Sequence, residues 1–208
     1  MRATFLSYTA LSYTALSLVA LVVAASTGAA QQQTAIRVGD FTRSAADGRT
    51  LVKDPAAPVS FELPKGWVLL DGVRWGDHET TLKLKEVYSN IEASFYYQFP
   101  VRNPNPADPA AALWGAMEAK VRQRRDKEGM VDYHIRPDSV LSRTVAGKPA
   151  LSFFADFTNP QGEPAVEYML RVLGGNVKAH FFLASPATAE LDAFVKRLDA
   201  VADSLRIG

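Results

Sequence analysis

Three histidines are the first candidates for chemistry, and they stand far apart at positions 78, 134 and 180. None belongs to a His-x-x-x-His or Glu-x-x-His pair, and the chain contains no cysteine, so the usual zinc-ligand spacings are missing. His78 lies in Gly76-Asp-His-Glu79. There Asp77, His78 and Glu79, with Asp71 upstream, form a weak candidate set for a hard cation, and a solvated acidic turn is the favoured reading. His134 and His180 fall on strand-like segments, and neither is expected to be catalytic. The sequence has no Gly-x-Ser-x-Gly elbow and no Gly-x-x-x-x-Gly-Lys phosphate loop. No catalytic residue and no cofactor is therefore predicted. A hydrolase or metal-dependent enzyme assembled from distant Ser, His and Asp is kept as an alternative.

The aromatic residues point elsewhere. Trp75, Tyr96 and Trp114 flank a proline-rich stretch, Pro100–Pro109, that also carries Arg102 and Asn105. An aromatic group beside a stiff loop is a reasonable binding surface, because large side chains with few torsions lose little entropy on contact. These five residues are the weak candidates for ligand or partner binding. The competing reading is that the aromatics pack at the edge of a core.

The elements that must position these residues follow from pattern. Arg2, an apolar run through residues 16–25 and small residues up to Ala30 read as a secretory signal covering 1–30, with Gly28 and Ala30 at the −3 and −1 positions. That predicts a periplasmic or secreted protein with no stable membrane span after cleavage. Removing Arg2 leaves 22 basic and 22 acidic residues. Neutrality at this size gives no long-range attraction to nucleic acid. Residues 31–56 are polar and Ala-rich and read as a flexible leader or an added edge strand. Residues 57–208 read as one domain.

Within that domain, Val59–Leu63 alternates apolar and polar residues, as do 80–88, 91–99, 149–158, 165–173 and 177–185. Turn signals separate them at 64–66, 89–90, 159–162 and 174–176. Asp108-Pro109 opens a helix whose stripe is Leu113, Met117 and Val121, and Gly129 stops it. The interleaved charges Lys120, Arg122, Arg124, Arg125 and Lys127 read as the solvated face of that helix. Ser185-Pro186 reads as the cap of a last helix carrying Leu191, Phe194, Leu198, Val201 and Leu205. Hairpins with only two long helices predict an α+β fold, a twisted antiparallel sheet packed with helices.

The opening Val59-Ser-Phe-Glu-Leu-Pro-Lys-Gly-Trp67, the middle helix, the hairpins from Pro149 to Ser185 and the closing Phe194-Val-Lys-Arg-Leu198…Ser204-Leu205 helix resemble the Mog1/PsbP-like family of small exported proteins, over roughly residues 57–206. The resemblance implies an α/β/α sandwich and a non-enzymatic protein acting through protein–protein interaction or envelope assembly. The implied partner is an unidentified envelope or secreted protein. It carries no functional residue onto this chain. A small-ligand-binding protein, with a cavity between the sheet and the middle helix near Trp114 and Tyr96, is the alternative from a different class.

Overall fold

The computed structural model describes residues 33–101, 107–186, 188 and 190–208. The expected signal segment, Arg102 and Asn105 lie outside the described residues.

In chain order the elements are β1 (Gln33–Ala35), a short α1 (Val38–Phe41), β2 (Thr42–Ser44), β3 (Thr50–Lys53), β4 (Val59–Leu63), β5 (Trp67–Trp75), β6 (Glu79–Glu86) and β7 (Glu92–Gln98). They continue with α2 (Pro109–Asp126), β8 (Val131–Ile135), β9 (Leu141–Val145), β10 (Lys148–Thr158), β11 (Pro164–Gly174), β12 (Val177–Pro186), α3 (Leu191–Asp203) and β13 (Arg206–Ile207). Among the described residues, all strand pairs are antiparallel and fall into two sheets. The large sheet runs β1-β5-β6-β7-β12-β11-β10-β8, with β9 also on β10; the small one runs β13-β4-β3-β2. Two layers of helix enclose the large sheet, so the α+β class and the α/β/α layering expected from the hairpin pattern are both present.

Period-two alternation decides which side chains face which layer. Leu82, Leu84, Phe95, Tyr97, Phe181, Leu183, Leu170 and Val172 lie in one apolar core with α3 and the small sheet. There α3 contributes Leu191, Phe194, Val195, Leu198, Val201 and Ala202. Phe95 stacks on Phe181 at 4.4 Å between ring centroids, and Phe61 of β4 meets Phe95 edge-on at 5.0 Å. Pairs of this kind add about 0.5–1.5 kcal/mol each beyond the area they bury. Of the small sheet only β4 was read from the sequence, because β2, β3 and β13 are two to four residues long and β13 finds β4 at long range.

The opposite face of the large sheet carries α2. Asp108 accepts a hydrogen bond from the Ala111 amide at 3.0 Å and Pro109 follows it at the first helical position, as expected for this cap. α2 buries a narrow seam, Leu113 and Met117, against Phe153, Ala155, Met169 and Tyr133. Ser185-Pro186 does not start α3. Both residues continue β12, with Ser185 opposite Val166 and Pro186 opposite Ala165, and α3 begins at Leu191.

Candidate functional site

β11 lies inside the sheet, between β10 and β12. Its alternate residues Glu167, Met169, Arg171 and Leu173 face α2, so polar side chains at two of these positions are enclosed by the fold. Glu167 is fully buried and Arg171 is only 7% exposed. On β12, His180 is directly opposite Arg171 and Lys178 opposite Leu173; on β7, Tyr96 is opposite His180 and Gln98 opposite Lys178. A polar row therefore crosses three strands beneath the helix.

Part of this row is neutralised from α2. The Arg124 guanidinium donates from Nε to Glu167 at 3.2 Å, its Nη2 pairs with the other Glu167 oxygen, and the Tyr133 hydroxyl donates to Glu167 at 2.6 Å. Glu128 pairs with Arg124 and lies 3.5 Å from Lys120. Burial pushes the Tyr133 hydroxyl well above its ordinary pKa, and Glu167 adds to the shift. Tyr133 therefore stays a neutral donor to that carboxylate.

The remainder of the row is not balanced. Among the described residues Arg171 forms no ion pair; its Nε makes only a 3.3 Å contact to the Met169 sulfur. Lys178 also has no ion-pair partner there. The His180 ring is stacked on Tyr96 at 4.6 Å and tilted against Phe182 at 5.4 Å, and its Nδ1 is enclosed with no hydrogen-bond partner. Burial, and then the charge of Arg171, hold His180 well below its usual pKa. Burial lowers Arg171 and Lys178 too, and for Lys178 the next cause is Arg171 itself.

These residues line a cavity of about 330 Å³ between α2 and the sheet. Arg171, Lys178, His180 and Gln98 supply its polar lining; Leu113, Ala112, Ala116 and Val101 supply apolar wall. The cavity exists because the α2 residues facing this part of the sheet are small. Ala112 and Ala116, one turn apart, are too short to fill the space beside Leu113, whereas Met117 packs into the apolar cluster with Phe153 and Met169. A volume near the lower end of the roughly 300–1,000 Å³ typical of ligand pockets admits a small molecule.

The residues singled out in the sequence are distributed as follows. Tyr96 is half-buried and supports His180 from the side. Trp114 is 42% exposed on α2, next to the lining residue Leu113 but outside the lining itself. Trp75 is opposite Glu79 at the far end of β5, three strands from Lys178, a separation of about 14 Å. Asp71 lies 3.7 Å from Lys83 in mid-ladder, whereas Asp77 and His78 form an exposed turn ahead of half-buried Glu79. Asp71 and the turn are about four residues apart along the strand, roughly 13 Å, and no group of three metal-ligating side chains occurs among the described residues.

The charged face of α2 requires correction. Arg124 is 7% exposed and Lys120 is largely covered, whereas Arg122 and Lys127 are solvated as expected. Arg171, Lys178 and the Arg124–Glu167 pair were not foreseen as a site. The usable signal was the length of the run 164–174: an eleven-residue strand in a meander is central, so both its faces are covered and its alternate polar residues must be interior.

No family model matches the sequence, and no curated protein does. Among solved structures, the solution structure of the cyanobacterial PsbP protein CyanoP from Synechocystis sp. PCC 6803 aligns with a TM-score of 0.57 at 11% identity, over 79% of this chain and 95% of that one. The fold is the Mog1/PsbP-like sandwich. Two further structures overlap less closely. One is PA94 of Pseudomonas aeruginosa, a protein of unknown function (TM-score 0.43, 13% identity, 73% of this chain and 92% of that chain). The other is LpqN of Mycobacterium tuberculosis, involved in cell envelope biogenesis (TM-score 0.42, 14% identity, 84% and 90%). At these identities the likeness to the Mog1/PsbP-like sandwich is one of architecture, and no residue role follows from it. Among the described residues no helix is long and apolar enough to cross a membrane.

Proposed function

We propose that this chain is an exported, non-catalytic binding module, released after removal of residues 1–30, and that its occupant is a small molecule held in the cavity between α2 and the large sheet. The carrying observation is the cavity itself. It opens over Arg171, Lys178 and His180, which make no ion pair among the described residues, while the surrounding sheet is packed. Such a constellation offers donors to a ligand and lacks a nucleophile–base pair of the kind catalysis needs. The test is amide chemical-shift mapping of the protein against a fragment library. Shifts centred on residues 112–116, 171–173 and 178–180 support the reading. A library in which every hit maps elsewhere, or none is found, rejects it.

A second reading, contact with a partner protein in the envelope, is favoured by a different observation. Tyr88 is 92% exposed and Val87 55% exposed in the β6–β7 turn, where the Val87 amide donates to the Gly66 carbonyl at 2.7 Å. Photo-crosslinking from position 88 in intact cells tests it, and a Tyr88→Ser variant with an unchanged crosslinking pattern from a neighbouring position rejects it.

A further inference from the structure

We propose that the occupant of the α2 cavity is a small carboxylate with an apolar tail, its carboxyl group seated on Arg171 and flanked by Lys178. This rests on the cavity reading above and names the ligand class.

Cations outnumber free carboxylates beneath α2 among the described residues. Lys120, Arg124, Arg171 and Lys178 all act electrostatically on His180. Glu128 and Glu167 are taken up by Arg124 and Lys120. Glu79 is the carboxylate acting on Lys178, and on the Tyr96 hydroxyl as well. Among the described residues Arg171 forms no ion pair; Glu167, already paired with Arg124, acts on it electrostatically, and its polar contact is to the Met169 sulfur, which leaves most of its five N–H donors without a partner. A buried cation that only shares a carboxylate with a second cation is costly to hold, and a bound anion would offset that cost. The planar fork of a guanidinium matches a carboxylate in bidentate fashion.

The remainder of the cavity determines what is attached to that carboxyl group. Leu113, Ala112, Ala116 and Val101 offer no donor or acceptor from their side chains, so the body of the ligand that touches α2 is apolar. A sugar or nucleotide would leave hydroxyls unpaired against that wall. His180 faces the cavity as a neutral ring, since burial first, and the surrounding cations after it, disfavour its protonation. It can thus accept or donate one hydrogen bond without adding charge. One anionic head and a short apolar tail satisfy all of these groups together.

The experiment uses the full chain expressed with its own leader, and isothermal titration with three probes: hexanoate, hexan-1-ol and inorganic phosphate. Hexanoate is expected to bind at least tenfold more tightly than either of the others. Arg171→Met is expected to weaken hexanoate at least tenfold and to leave hexan-1-ol unchanged, and Arg171→Lys to recover part of the loss. Hexan-1-ol binding as tightly as hexanoate overturns the carboxylate class while leaving the cavity as a binding site. Phosphate binding more tightly than hexanoate, or hexanoate affinity that survives Arg171→Met, also overturns it. If none of the probes binds while fragments still map to the cavity, the class is wrong and the cavity reading stands. Melting curves of each variant confirm that it is folded.

Discussion

Arg124 of α2 and Glu167 of β11 form an ion pair in which the two side chains are 8% and 0% exposed, so the helix is fastened to the sheet by a contact that water does not reach. The pair is reinforced by the Tyr133 hydroxyl on one side and Glu128 on the other. α2 buries few apolar side chains beyond Leu113 and Met117, so this polar contact takes a large share in seating the helix.

Glu167→Leu is therefore expected to destabilise strongly, by about 3 kcal/mol, since it leaves the Tyr133 hydroxyl unpaired and the buried Arg124 with only the partly exposed Glu128. The triple variant Glu167→Leu, Arg124→Met, Tyr133→Phe is expected to regain most of that loss, because all unpaired polar groups leave together. Urea unfolding followed by circular dichroism measures both. A triple variant no more stable than the single one contradicts the explanation.

Arg171→Met should have the opposite sign. The residue is buried and makes no ion pair among the described residues, so its replacement by an apolar side chain of similar length removes a desolvation cost. The expected gain in the ligand-free protein is on the order of 1 kcal/mol, seen as a Tm rise of about 2–4 °C at this chain length. A fall in Tm would show that Arg171 is structural.

His180 gives a pH signature. It is faced by Arg171 from β11, Lys178 from its own strand, Tyr96 from β7, with Glu79 behind it, and Lys120 and Arg124 from α2. Its folded pKa lies well below 6.5 and its unfolded pKa near 6.5. Above that value the ring is neutral in both states and has no effect on folding. As pH falls below it, the unfolded chain takes up a proton that the folded chain refuses, so stability declines. The slope reaches at most about 1.4 kcal/mol per pH unit. His180→Phe is expected to flatten the Tm-versus-pH curve between pH 6.5 and 5 relative to the parent protein; parallel curves would contradict the assignment.

Ala146 occupies the left-handed region at φ 52°, followed by Gly147 at φ 73°, in the two-residue turn joining β9 to β10. A side chain with a Cβ is strained there, and Asn tolerates that geometry better. Ala146→Asn is expected to stabilise by up to about 1 kcal/mol, measured by thermal unfolding. A loss of stability would mean that Ala146 packing outweighs its backbone strain.

Much of the fold was legible because it is written in local pattern. The alternation in 91–99 and 177–185 and the Asp108-Pro109 cap all describe a residue and its near neighbours, and the corresponding elements are present. Two expectations failed where long-range pairing prevailed. Ser185-Pro186 has the composition of a helix start, but the ladder with Ala165 and Val166 continues through it. Lys120 and Arg124 looked solvated because Glu167, the buried partner of Arg124, lies 43 positions away on β11, while Lys120 is covered beside Glu128 in the same layer. The cavity was anticipated only in location. Its cationic floor depends on the register of β11 with β12, which no local spacing encodes.

One further property follows from β13. Residues Arg206 and Ile207 pair with Ser60 and Val59, and the Ser204 hydroxyl accepts from the Glu62 amide at 2.8 Å. The small sheet is thus closed by a strand far along the chain from its partner, with the Ser204–Glu62 contact spanning 142 positions, and that loop must close before the contact brings any gain. Any fragment that lacks β13 leaves β4 without a partner on one side and exposes an edge that the full chain covers.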